Sequence, residues 1–202
     1  MAYIRLSREA YFHNLDIIAQ KVGGVSKIAV VLKDNAYGHG LLEMAALASE
    51  FGVREAVVHN VTEAQSIAPY FDHILILGGH KYAVDDKLFF AVNSLEQIEK
   101  MPKGCCVELK VDTGMHRNGV AMDEVAAAVE AISARGLLLK GVFTHNRSAD
   151  ALSSEWFWQR KNFESVKSDV LAMQAKYGFE TPRLHSANSA AAFRYKEFDE
   201  DM

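Results

Sequence analysis

Short apolar runs alternate along this chain with longer stretches of helical periodicity. The runs are KIAVVLK (27–33), EAVVHN (55–60), HILILGG (73–79), FFAVNS (89–94), CCVELKVDT (105–113), LLKGVFTH (138–145) and RLHSANS (183–189). Each is rich in Val, Ile, Leu or Phe, the signature of strands buried on both faces. The stretches between them carry helix start and stop signals. Ser7 opens a helix that ends near Gly23, and Asp123 opens EVAAAVEAISAR, which Gly136 closes. Thr62 with Gln65 and Ser94 with Gln97 have the capping-box spacing. A long helix is predicted from about Ser154 to Tyr177, stopped by Gly178. Strands that alternate with helices imply parallel pairing through right-handed crossovers.

Seven strands are predicted. An eight-stranded (β/α) barrel takes about 250 residues and gathers its active residues at the C-terminal ends of the strands. An open doubly wound sheet is the alternative. The barrel is preferred because polar residues collect at the strand ends in order: Lys33, His59, Asn93, Lys110 with Asp112, His145, and His185 with Ser189. No linker or second domain is visible, so residues 1–202 read as a single domain. Its last stretch, KEFDEDM, follows a seventh strand and a short helix, which leaves the barrel incomplete at its C-terminal end.

Composition narrows the function classes. Half the residues are apolar and 24% are charged, as in soluble globular chains. The net charge of -4 argues against a nucleic-acid partner. No apolar run approaches the roughly 20 residues of a membrane helix, and the early charges argue against a signal peptide. The adjacent Cys105 and Cys106 read as reduced strand residues, placing the chain in the cytoplasm. The histidines at 39, 59, 73, 80, 116, 145 and 185 lack the H-x-x-E-H and H-E-x-x-H spacings, so no metal is expected. Trp156, Phe157 and Trp158 read as packing residues, and Asp199, Glu200 and Asp201 as a solvated or frayed acidic end.

Two segments carry candidate chemistry. Lys33 ends the first strand in VVLKDNAYGHG. It is either a snorkelling lysine at a barrel rim or a Schiff-base lysine whose amine attacks a carbonyl. The following Tyr37-Gly38-His39-Gly40 reads as a tight loop leading into a helix. In ELKVDTGMHRNG, Lys110 and Asp112 share one strand face and Arg117 follows in a glycine-bounded loop. Lys110 and Arg117 repel unless something negative lies between them, while Asp112 could simply pair with Arg117.

VVLKDNAYGHG after the first strand and ELKVDTGMHRNG after the fifth resemble the two signature stretches of alanine racemases. ILILGG (74–79), GVFTH (141–145) and HSANSAA (185–191) resemble the family's later segments in the same order. The resemblance implies a pyridoxal-phosphate (PLP) binding (β/α)8 barrel with about seven of its eight strands present and the C-terminal β-domain lacking. It implies racemisation of L-alanine to D-alanine for peptidoglycan precursors by a homodimeric full-length protein. Residue by residue, Lys33 corresponds to the Schiff-base lysine and catalytic base on the D side. Tyr37 and Ser189 correspond to phosphate contacts, with Asn188 in the same motif. Arg117 corresponds to the arginine near the cofactor's phenolic oxygen and the substrate carboxylate. Lys110 corresponds to a lysine that is often carbamylated, which would replace its positive charge with a negative one. His145 corresponds to the histidine beside the pyridine ring, and His185 to one that supports it from behind. Asn146 and Arg147 depart from the family pattern after His145. The second acid/base and the last strand are expected outside these residues, so the chain alone is expected to be inactive. The alternative reading is a small one-domain PLP-binding protein without turnover.

Overall fold

The computed structural model describes residues 3–151, 153–194 and 200–202. All seven predicted strands form, each shorter than its apolar run. The chain divides into two compact units, one ending at Lys81 and the other starting at Tyr82.

The first unit runs α1 (Arg8–Val22), β1 (Ala29–Val31), α2 (Lys33–Tyr37), α3 (Leu41–Phe51), β2 (Glu55–Val58), α4 (Val61–Ile67) and β3 (His73–Ile76). Its strands are parallel in the order β1-β2-β3, with Val31 beside Val57 and Val57 beside Leu75. Ala45 and Ala48 of α3 and Ala64 and Ile67 of α4 are fully buried, as are Ala56, Val58 and Ile74 of the strands. Small helix residues against β-branched strand residues give a close helix-on-sheet layer. Ser7 caps α1 by accepting from the Ala10 amide at 3.2 Å, and Gly23 ends it. The predicted Thr62–Gln65 cap is not formed. Asn60 caps α4 instead, its Oδ1 accepting from the Glu63 amide at 3.0 Å.

The second unit runs β4 (Leu88–Val92), α5 (Leu95–Lys100), β5 (Cys106–Lys110), α6 (Val125–Arg135), β6 (Leu138–Phe143), α7 (Glu155–Tyr177), β7 (Arg183–His185) and α8 (Ser189–Arg194). Its strands are parallel in the order β4-β5-β6-β7. Ser94 caps α5 as expected, accepting from Gln97 at 3.3 Å. The α6 start differs from expectation. Asp123 lies inside a 3-10 turn (Met122–Glu124), and Glu124 reaches back to the Ala121 amide at 3.1 Å. Both cysteines are free and buried, and burial pushes both thiols up.

Two expectations are corrected. Trp156 is buried against Ala149 and Ala191, but Phe157 and Trp158 are exposed, with Lys161 over the Trp158 ring. The acidic end is not a frayed tail. Glu200 is buried and hydrogen-bonded, and Asp201 exchanges two bonds with Leu184. A carboxylate that finds several donors leaves solvent even close to the end of a chain. Asp199 lies outside the described residues. No helix among the described residues is long and apolar enough to cross a membrane.

Candidate functional site

In the first unit, Lys33 lies two residues past the end of β1 and opens a turn of left-handed helix. Asp34, Asn35, Ala36 and Tyr37 all have φ between 51° and 55°. Left-handed backbone costs about 1–2 kcal/mol per non-glycine residue, so four in succession persist only if the surroundings impose them. The surroundings do so through two side chains. Asn35 Oδ1 accepts from the Leu41 amide at 2.8 Å, joining the turn to the start of α3. Glu63 accepts from the Asn35 amide at 3.2 Å and from the His59 amide at 2.8 Å, joining the turn to α4. The predicted tight loop is thus a strained element that aims the residue before it.

Lys33 is half-buried and makes no hydrogen bond or ion pair among the described residues. Its Nζ lies 5.7 Å from the centroid of the Tyr37 ring. Tyr37 is itself 61% exposed, leaving its face and hydroxyl accessible. A partly desolvated amine with no carboxylate partner keeps its nucleophilic chemistry available.

In the second unit, chemistry is arranged by strand register. Glu108 of β5 lies beside Gly141 of β6, which lies beside Arg183 of β7. Two residues further along, Lys110, Phe143 and His185 line up in the same way. These six positions share one face of the sheet. Glu108 is 0% exposed and crosses the vacancy left by Gly141. A Cβ at Gly141 would stand 2.8 Å from Glu108 Cδ. The carboxylate receives His185 Nε2 at 2.7 Å and pairs with Arg183 Nε at 3.2 Å. His185 stacks on Phe143 with a centroid distance of 4.9 Å and an angle of 3°. His185 is therefore buried and fixed in orientation.

Lys110 is also buried, at 7% exposure. Its Nζ donates to Asn118 Oδ1, and the Phe143 ring centroid lies 5.9 Å away. Asp112 does not pair with Arg117. One of its oxygens accepts from the Gly114 and His116 amides, each at 3.0 Å, and so organises the loop. Burial raises the Asp112 carboxyl, but the amides of His116 and Gly114 outweigh it and hold the group below its usual range. The base of this loop is closed by bonds from Val120 N to Lys110 O and from Asp112 N to Val120 O. Gly119 allows the closure, since a Cβ there would stand 2.9 Å from the Asp112 nitrogen and its φ is +125°. At the tip, Arg117 is exposed and makes no hydrogen bond or ion pair among the described residues. An uncommitted guanidinium on a braced loop has its donors available to an anionic oxygen.

The loops after β5, β6 and β7 are stitched together. Thr113 and Thr144 hydroxyls bond at 2.8 Å, and the buried Asn146 donates Nδ2 to Ser186 O at 2.9 Å. Gln159 of α7 accepts from the Arg147 amide at 2.9 Å and donates to its carbonyl. His145 is half-buried between these anchors. Asn188 spends both ends of its amide inside the protein, donating to Asn146 O and accepting from the Ala191 amide at the start of α8. Ser189, the first residue of α8, is exposed with its hydroxyl accessible.

Residues 6–202 match the family of the alanine racemase N-terminal domain. The chain belongs to that family. It is 47% identical over 194 residues to the alanine racemase of a Nitratiruptor species, covering 96% of this chain and 58% of that relative. To the alanine racemase of Campylobacter curvus it is 42% identical, covering 100% and 60%. Among solved structures, the alanine racemase of Corynebacterium glutamicum superposes with a TM-score of 0.81 at 26% identity, over 96% of this chain and 59% of that one. The fold is therefore the PLP-binding barrel type of the alanine racemases, with seven parallel strands here. The chain spans about 60% of the length of the relatives it matches.

Sequence reasoning gave no supporting role to Glu63 in the first unit, or to Glu108, Gly141, Asn146, Gln159 and Glu200 in the second. Glu108 alone carried a signal, as a charge inside the apolar run CCVELKV in alternation with Lys110.

Proposed function

We propose that the full-length protein is a PLP-dependent alanine racemase, with residues 1–202 forming one barrel domain that carries the cofactor lysine. The observation that carries this reading is Lys33: an uncommitted, half-buried amine at the end of β1, aimed by a strained left-handed turn. Each unit supplies groups of the chemistry the cofactor needs. Lys33 offers the amine for its aldehyde, Tyr37 and Ser189 offer accessible hydroxyls for its phosphate, and Arg117 offers an unpaired cation for its phenolic oxygen and the substrate carboxylate. Asn188 serves the phosphate by placing Ser189, since its own amide is committed at both ends. His145 flanks the ring, and His185 supports the floor from its bond to Glu108.

PLP, when bound, supplies the electron sink that makes an amino acid's Cα–H acidic. Lys33 Nζ takes or returns the proton at Cα on one face. A second acid/base on the opposite face completes the inversion. Lys110 is proposed as a carbamate in the loaded enzyme. Its head lies against the Asn118 amide, which can present either a donor or an acceptor. Alanine as substrate, a homodimeric assembly, a cytoplasmic location and a role in peptidoglycan precursor supply follow from the same reading.

The test is chemical trapping. Protein incubated with PLP and reduced with borohydride is expected to carry the cofactor on Lys33 by peptide mapping. Labelling of a different lysine, or none in a folded sample, refutes the reading. Racemisation assayed alongside separates an enzyme from a carrier that holds the cofactor without turnover.

A further inference from the structure

Glu200 is the one buried carboxylate of the described residues that reaches the loop between β7 and α8. Its Oε2 accepts from the Ser186 amide at 2.6 Å and from the Ala187 amide at 3.1 Å. Its Oε1 accepts from the Ser186 hydroxyl at 2.6 Å, with Lys167 Nζ of α7 at 4.0 Å. Burying a carboxylate is costly unless donors and a counter-charge surround it. Here three donors and a lysine do so, and the carboxylate is 3% exposed. Asn146 holds the remaining polar atom of Ser186, its carbonyl. Every polar atom of Ser186 is thereby held, and Asn188 is tied to Asn146 in turn. Ser189 follows immediately.

We propose that Glu200 is a positioning residue for the cofactor phosphate: by clamping Ser186 and Ala187 it fixes where the Ser189 hydroxyl stands. The proposal rests on the reading of Ser189 as a phosphate contact. A carboxylate that gathers two successive amides and a hydroxyl acts on this loop as a bound anion would. It leaves the three-residue path from Ser186 to Ser189 little freedom. Misplacing a binding group by about 1 Å is enough to lose most of its contribution. A purely structural role at this point of the fold would stabilise the chain without distinguishing one form of the cofactor from another.

The distinguishing probe is pyridoxal, which has the aldehyde and ring but no phosphate. Binding of PLP and of pyridoxal to Lys33 is measured by borohydride trapping across a concentration series. In parallel, hydrogen exchange of the Ser186 and Ala187 amides is followed without cofactor. For Glu200→Gln, which keeps size and one acceptor, PLP affinity is expected to fall about tenfold while pyridoxal affinity stays level and both amides exchange faster. Equal losses for the two ligands, or an unchanged preference, overturn the proposal. A wild-type chain with no preference for PLP over pyridoxal refutes the phosphate reading of Ser189 itself. If Glu200→Gln fails to fold, Ser186→Ala decides. It removes one of the three donors, so a preference reduced about threefold is expected, and an unaltered one overturns the clamp.

Discussion

The two units hold their reactive groups by different means. In the first, Lys33 is aimed by backbone: four left-handed residues, imposed locally by Asn35 and by Glu63 some thirty positions along the chain. In the second, Lys110 and His185 are aimed by register: a row of side chains across three strands, in which a buried carboxylate bonds His185, 77 positions away. Backbone strain fixes one residue with few partners but stores energy. A buried polar row stores little strain, yet every member depends on the others. The first arrangement should therefore fail locally and the second collectively.

Removing the hub of the row should have the largest effect. Glu108→Ala leaves Arg183 and His185 facing a cavity without their carboxylate, and breaking a buried pair in this way costs about 3–5 kcal/mol. Urea denaturation should show that loss, and Glu108→Met combined with Arg183→Met should recover most of it. A single substitution that costs under about 1 kcal/mol would refute collective holding. Gly141→Ala should come next. The added methyl meets Glu108 Cδ at 2.8 Å and Cγ at 2.9 Å, both backed by the row, and overpacking of this kind costs about 1–3 kcal/mol. The same change in a Glu108→Ala background should be nearly neutral, which a double-mutant cycle measures directly.

Glu63→Ala tests the strained turn. It frees the Asn35 and His59 amides, two solvent-exposed bonds at the low end of the usual range, about 0.5 kcal/mol each. Lys33 trapping by PLP should weaken, with the protection of second-unit amides unaltered in hydrogen exchange. Equal loosening of both units would erase the contrast between local and collective holding.

The same contrast explains what the sequence disclosed. Strand runs and the long helix were legible because burial on both faces and 3.6-residue periodicity are written locally, and the family because its two signature stretches are each contiguous. The Asn60 cap was missed because Thr62 and Gln65 offer the same spacing two residues later, and only the chain path selects between them. The Glu108–His185 bond was invisible because it depends on register across three strands, with Gly141 legible as a glycine but not as the gap beneath a carboxylate. Glu200 was misread because three acidic residues in a row look solvated until a loop with spare donors is brought against them.

The smallest expected effect concerns the Arg117 loop, which belongs to the second unit but is held in the manner of the first. Its organiser, Asp112, accepts from the Gly114 and His116 amides and has a carboxyl held below its usual range. A group whose folded pKa is depressed contributes stability that is complete above its unfolded pKa. That stability is lost as pH falls through the folded value. The loop should therefore be ordered at neutral pH and loosen only below the ordinary aspartate range of about 3.9, with the strands of the unit still intact. Hydrogen exchange at Gly114 and His116 is the measurement, compared with the Val107 amide of β5 as an internal reference. Asp112→Asn keeps an acceptor oxygen but cannot titrate, so it should abolish the pH dependence while raising exchange at those two amides even at neutral pH. A loop that loosens in step with β5 would mean that Asp112 serves the buried row, and the loop would then belong with the collectively held part of the molecule.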